Sequence, residues 1–392
     1  MSDVTISDPS RDGFVVAGSA LSLLKRWRYG ILWATALVEF PRHWTVRVGD
    51  WRYFVQGSNL LAGRTAPGAP SGGLHLFANY HSMHMGPLTL AAVWPLRAIA
   101  GDGLLPALVL MAALGPAVVI ALERAALAIG RDAVSAELVQ LTALGGGVLL
   151  LRSWGLAAGP IAHLDDVLTM AFCALAVWAV ATRRPLLSGV AIGLAVAAKP
   201  WGIALLPILL AFDRRGRVRG AVSAGLLSAA AWLPFVFGDP GTVKAGAFDV
   251  ANDAASALRA LGVETAGTPG WLRPTQVLLG LLVGVAACAV GRWPGVLLGA
   301  LAVRLGLDPA TFVYYTPALV LGALTWDLLG TRRPLPVWTL TTVAGLQVAP
   351  DVVVDPHRQG MLRLATCAAL VAAIFVPAVP ALAHRGRRLQ SA

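Results

Sequence analysis

The sequence predicts an all-α, polytopic membrane protein, one bundle of about 12 transmembrane helices with both termini cytoplasmic. Three observations carry that expectation. Of 392 residues, 57% are hydrophobic and 13% charged, with a mean hydropathy of +0.70, whereas a soluble domain carries about a quarter charged residues. Apolar runs recur from residue 29 to residue 380, and a helix needs roughly 20 such residues to cross the hydrocarbon. The net charge of +11 comes from arginines in short clusters between these runs, where the positive-inside rule places them. It forms no basic face for nucleic acid, and nucleic acid is not an expected partner.

Residues 1–20 read as a disordered cytoplasmic tail, 21–384 as a single transmembrane domain and 385–392 as a basic cytoplasmic tail. No short apolar core with a small-residue cleavage site marks a removable signal peptide. The first outer loop is expected at 46–85, and within it 50–62, "DWRYFVQGSNLLA", is amphipathic and suited to lying flat in the interface. "RTAPGAPSGG" (64–73) sits in that loop and marks no domain boundary. Residues 86–152 offer three apolar runs where orientation demands an even number of crossings, so one should be short, re-entrant or tilted. Beyond residue 165, runs near 166–182, 186–199, 200–212, 218–237, 274–291, 294–307, 311–329, 335–349 and 361–380 alternate so that "RR" (183–184), "RRGRVR" (214–219), Arg292, "RR" (332–333) and "RGRR" (385–388) all face the cytoplasm, as does "KRWR" (25–28). The polar residues then collect outside: His163 to Asp166, Lys199, an outer loop at 238–272, Asp308, and Asp351 to Arg358. Cys173, Cys288 and Cys367 lie inside apolar runs and read as packing residues, not disulfides or metal ligands.

An ionised side chain at the centre of a spanning helix costs roughly 2.5–3.5 kcal/mol and less near the interface, so each such group needs an account. In "IAHLDDVLTM" (161–170) an Asp can cap the following helix, but a doubled carboxylate plus His163 exceeds what one cap requires. Asp50 follows the first span directly, and "NYHSMHMGP" puts Tyr80, His81 and His84 where the second begins. If that segment is helical, His81 and His84 share a face. Anion binding, metal ligation and idle interfacial histidines all remain open there, although no H-E-x-x-H or Cys-His framework accompanies them. "GLAVAAKPWGIALLP" (193–207) sets Lys199 and Pro200 between two short apolar runs, in a chain with only three lysines. Such a break is tolerated where it lines a cavity, with a snorkelling lysine as the plainer alternative. Later loops add Asp308, Tyr314, Tyr315, Asp355, His357 and Arg358, and the planar fork of Arg358 suits phosphate oxygens. The absence of GxxxxGK[ST] and GxGxxG argues against ATP-driven transport and against a soluble nucleotide-sugar domain.

Asp50 after the first span, an aromatic amphipathic stretch ending in "NLLAG", a Tyr-to-Pro segment, and "AHLDD" followed by "RRPLLSGVAIGLAVAAKPWGIALLP" together resemble the bacterial GT-C glycosyltransferases of the alpha-1,2-mannosyltransferase type, over residues 45–212. The resemblance implies a GT-C-like helical bundle in the bacterial cell (inner) membrane, its active site facing the periplasm. There it would move a sugar from a polyprenyl-phosphate donor to a glycolipid or lipoglycan, with inversion. It implies Asp50 as general base; Lys199, His81, His84 and Arg358 as the groups meeting the donor phosphate; and Tyr80, His163, Asp165, Asp166, Tyr315 and His357 as sugar and acceptor contacts. The expected partners are the lipid-linked donor, the acceptor and the bilayer, with the chain a monomer and neither metal nor cofactor required. Where the resembled enzymes carry an aromatic followed by two prolines, this chain has "YHSMHMGP", which leaves the sugar open among mannose, arabinose and glucose. The rival expectation is a membrane transporter or lipid flippase with a polar outer cavity. Charges gathered at one face, without an inverted repeat, weigh against it.

Overall fold

The computed structural model describes residues 9–42, 49–130, 133–331, 333 and 335–376; it is 78% helix, with no strand among the described residues. Helix α1 (Pro9–Arg42) reaches back into the stretch 1–20 that the sequence reads as a disordered tail, while residues 1–8, the start of the first loop at 46–48 and the basic tail 385–392 lie outside the described residues. Helix α2 (Gly49–Leu61) buries Trp51, Phe54, Ser58 and Leu60 and exposes Arg52 and Gln56, the three- and four-residue spacing of a one-sided helix. Its apolar face lies on α3 (Pro87–Ile99).

Then follow α4 (Leu104–Ala128), α5 (Ala133–Ala158), α6 (Leu164–Ala181), α7 (Pro185–Ala198), a 3-10 segment (Pro200–Ala211), α8 (Arg214–Gly238), α9 (Leu272–Ala289), α10 (Gly295–Gly306), α11 (Thr316–Thr325), α12 (Val337–Val343) and α13 (Pro356–Phe375). Asp213 and Asp355 cap α8 and α13, accepting from the backbone N–H of Gly216 and Arg358, each at 2.8 Å. Glu123, buried on α4, is held by α1: Arg28 Nε is 2.9 Å and Tyr29 Oη 3.2 Å from its Oε1.

Among the described residues, six helices are long and apolar enough to cross a membrane: α4, the 136–158 part of α5, α6, α8, α9 and α13. The chain is therefore a membrane-embedded helical protein. The expectation of about 12 spans counted α7, the 3-10 segment and α10 as crossings, and these have 12 to 14 residues each. At 1.5 Å rise an α-helix of that length covers about 20 Å of a roughly 30 Å core. Between residues 86 and 158 the short member of the three runs is α3.

Two packing features position the site. Helix α6 is the central strut, with 78% of its apolar stretch buried against 17% for α8, and it packs on both α4 and α7. Helix α7 ends at Ala198 because Pro200 offers no N–H and forces its predecessor out of the α region; Lys199 sits at φ −154°, ψ 126°. The polypeptide is thus broken at the only lysine of this region, beside the start of α6. Gly86 docks against that break, its N–H donating to Ala198 O at 2.7 Å. Ala197 O lies so close that a methyl group at position 86 would collide with it.

Candidate functional site

The site is built on the first turn of α6. Ala162, at φ +53°, turns the chain so that His163 becomes the residue before the helix; a left-handed alanine costs about 1–2 kcal/mol and is held there by a fully buried setting. Asp165 Oδ1 accepts from the Asp166 N–H at 2.8 Å and lies 2.6 Å from His163 Nδ1. Asp166 Oδ2 is 3.1 Å from the same nitrogen. With carboxylates as the only partners on that side, Nδ1 carries the proton and donates.

Lys199 closes the arrangement from the helix break. Its Nζ stands 2.8 Å from Asp165 Oδ2 and donates to Asp166 Oδ2 at 2.7 Å. All three side chains are buried, Lys199 to 4% exposure. On the other side of the imidazole, Asp50 Oδ2, from the first turn of α2, is 3.3 Å from His163 Nε2. Its side chain is 40% exposed, the one carboxylate of the three that is open to solvent. Three carboxylates thus face two cations.

Aromatic rings wall the cluster. Tyr314 stacks on His163 with centroids 4.1 Å apart, Phe54 meets the same ring edge-on at 6.1 Å, and Lys199 lies 5.9 Å from the Tyr315 ring. His84 stacks on Phe248 at 4.2 Å and is close enough to feel the charges of Lys199, Asp165 and His163.

The electrostatics divide the groups by role. Burial pulls the His163 imidazole down, but Asp165 and Asp166 outweigh it and hold its pKa up at about 9. His163 is therefore an imidazolium at neutral pH. Burial raises the pKa of Asp50, and the His163 charge opposes that rise. His84 is driven down to about 4, by burial first and then by Lys199, and stays neutral.

The structure brings Asp50, His163, Asp165, Asp166, Lys199 and Tyr315 together, with His84 at their edge. It does not bring the others. Residues 80–86 are irregular rather than helical, because the chain there buries Met83 and Met85 and docks Gly86 on Ala198. The shared face expected for His81 and His84 does not form, and His81 is exposed. Tyr80 donates its hydroxyl to Pro70 O at 2.6 Å, tying the loop to itself. His357 and Arg358 are exposed on the first turn of α13 and make no ion pair with the cluster. Lys199 is neither a snorkelling lysine nor a free cation for phosphate, since two carboxylates hold it.

One residue escaped the sequence reading. Arg304, inside the apolar run of α10, lays its guanidinium over Trp201 at 5.0 Å and over Tyr315 at 5.2 Å, next to Lys199, and forms no ion pair among the described residues. Its signal is an arginine within "GVLLGALAVRLG" (295–306), where hydropathy alone gives no reason for charge. Asp308, placed by sequence in an outer loop, is fully buried and pairs with Arg273 at 3.2 Å.

His163, Asp165 and Asp166 also present donor atoms that all lie within 4.8 Å of one another, a spacing that could hold a metal ion. The Lys199 ammonium already stands between the two carboxylates, and the His163 nitrogen facing them carries a proton. A divalent ion would have to displace both.

What the arrangement offers chemically is an accessible carboxylate, Asp50, backed by an imidazolium that is fixed by two buried carboxylates and a buried ammonium. Comparison with known protein families, with curated proteins and with solved structures finds no match.

Proposed function

We propose that this chain is an inverting membrane glycosyltransferase, which moves a sugar from a polyprenyl-phosphate donor to a hydroxyl of a lipid or glycan acceptor, with Asp50 as general base. The supporting observation is the half-open Asp50 carboxylate set 3.3 Å from His163 Nε2. A general base has to reach its proton and be ionised when it does so. The exposure of Asp50 supplies the first condition and the His163 charge favours the second.

In this reading the acceptor O–H gives its proton to Asp50 as its oxygen attacks the anomeric carbon from the face opposite the phosphate. The bond from that carbon to the phosphate oxygen breaks, the electron pair leaves with the phosphate, and the configuration inverts. The His163 charge faces Asp50 at 3.3 Å and favours its ionised form. Asp165, Asp166 and Lys199 fix the imidazole. The charge growing on the departing phosphate calls for a cation; with Lys199 engaged, Arg304 is the one that lies beside the cluster without a carboxylate partner. Mannose is the proposed sugar, by resemblance, and the periplasmic side of the cell membrane the proposed location.

A transporter is the second reading, supported by the helix break at Lys199, since interrupted helices and buried ion pairs also build transport sites. One experiment separates the two. Detergent micelles enclose no compartment, so protein purified in them and given radiolabelled polyprenyl-phosphate sugars and a glycolipid extract, with and without chelator, shows transfer to the acceptor if the chain is an enzyme. Absence of transfer from every sugar, by protein that retains its fold, contradicts the enzyme reading.

A further inference from the structure

Val313 and Thr316, which flank Tyr314 and Tyr315 in the chain, line a cavity of about 390 Å³ that contains none of the residues assigned to the transfer site. Arg152 of α5, Arg363 of α13, Thr311, Gln347, Glu39 and Asp351 line it. Arg363 is the informative group. It lies in the first half of a membrane-spanning helix, its Nε donates to Leu305 O at 3.4 Å, and no carboxylate stands within ion-pair distance of it or of Arg152 among the described residues. An arginine within a membrane span is costly without a counter-charge and as a rule has one.

The surface beside the cavity is apolar. The segment that contributes Gln347, Pro350 and Asp351 also turns Val352 and Val354 outward, 74% and 88% exposed, and Val313 on the facing segment is exposed as well. Two arginines on the cavity wall and bare valines beside it describe the two ends of an amphiphile.

We infer that this cavity binds the phosphate of an anionic amphiphile: guanidinium forks of Arg363 and Arg152 on the phosphate oxygens, Asp351 accepting from headgroup hydroxyls, and the apolar chain along Val313, Val352 and Val354. The inference requires no sugar transfer, so it stands or falls apart from the role of Asp50.

The test measures binding by the full chain in detergent to farnesyl phosphate, to farnesol as its uncharged twin, and to inorganic phosphate, for wild type, Arg363→Gln and Arg152→Gln. Farnesyl phosphate is expected to bind, to lose at least about tenfold in affinity in Arg363→Gln, and to weaken measurably in Arg152→Gln, whose exposed side chain can be replaced without disturbing the core. Inorganic phosphate binding with the same dependence on Arg363 assigns the cavity to the free anion; binding of farnesyl phosphate alone assigns it to a lipid headgroup. Farnesol bound as tightly as farnesyl phosphate, or unchanged affinity in both variants, overturns the inference. Should Arg363→Gln fail to fold, Arg152→Gln decides it.

Discussion

Replacing Lys199 by methionine keeps the reach of the side chain and removes the ammonium that stands 2.8 Å from Asp165 and 2.7 Å from Asp166. Both carboxylates are buried at the start of the most buried spanning helix, so neither can turn to water. Leaving a buried charge without its partner costs about 3–5 kcal/mol, and His163, already engaged with both carboxylates, cannot neutralise the surplus. At about 2–4 °C per kcal/mol for a chain of some size, Lys199→Met should melt about 6–20 °C below wild type. Adding Asp166→Asn removes the stranded charge, so the double variant should recover part of the loss, with a coupling of about 2 kcal/mol or more. The intrinsic fluorescence of the 13 tryptophans during heating in detergent reads both quantities. A Lys199→Met protein that melts within about 1 °C of wild type, the scale of a surface change, refutes the reasoning, as does a double variant whose loss equals the sum of the two single losses.

Further expectations follow from the neighbours of the cluster. His163 holds its proton to about pH 9 in the folded chain against 6.5 for a free histidine, so the stability it contributes is complete below pH 6.5 and is lost as pH rises through about 9. His84, at about 4, contributes stability that is complete above pH 6.5 and lost as pH falls through about 4. The melting temperature should therefore peak near pH 6.5, and His84→Gln should flatten the acid limb alone; a melting temperature that climbs steadily to pH 9 contradicts the His163 assignment. Gly86→Ala forces a methyl against Ala197 O, a backbone atom that cannot yield cheaply. It should cost about 1–3 kcal/mol and displace the Lys199 break, seen as a lower melting temperature together with reduced transfer. A Gly86→Ala variant as stable and active as wild type would remove that contact from the account.

The sequence made the helices legible where apolar runs were long: α6, α8, α9 and α13 overlap runs that hydropathy alone marks, each starting two to five residues earlier. It is less legible in the number of crossings, because 12 apolar residues satisfy a hydropathy pattern without the length of a full span. The break at Lys199 was legible because proline acts locally on its predecessor. So was the surplus of charge in "HLDD", since a helix start needs one cap. The resemblance implied that Lys199, His163, Asp165 and Asp166 line one cavity, with the acidic pair orienting the cations as one of its roles, but the direct ion pairs of Lys199 with both carboxylates depend on how the α6 start and the helix break pack. Taken singly, each of those residues has a duller explanation; together they satisfy one another. The His81–His84 spacing misled because it assumed helical periodicity, where the docking of Gly86 imposes an irregular path. Arg304 and Arg363 went unread as site residues because an arginine near the end of an apolar run looks like a topology marker until its missing counter-ion is seen.

The role of Asp50 is tested most directly by the turnover of Asp50→Asn, purified in detergent and supplied with a polyprenyl-phosphate sugar and an acceptor. Loss of a general base lowers the rate by about 10²–10⁴-fold, and since the carboxylate is half open to water its amide should leave the melting temperature near that of wild type. Transfer slowed on that scale by a folded variant is the expected result. Turnover within a few-fold of wild type would contradict it, and the cluster around His163 would then be a structural anchor for the start of α6 and not the backing of a base.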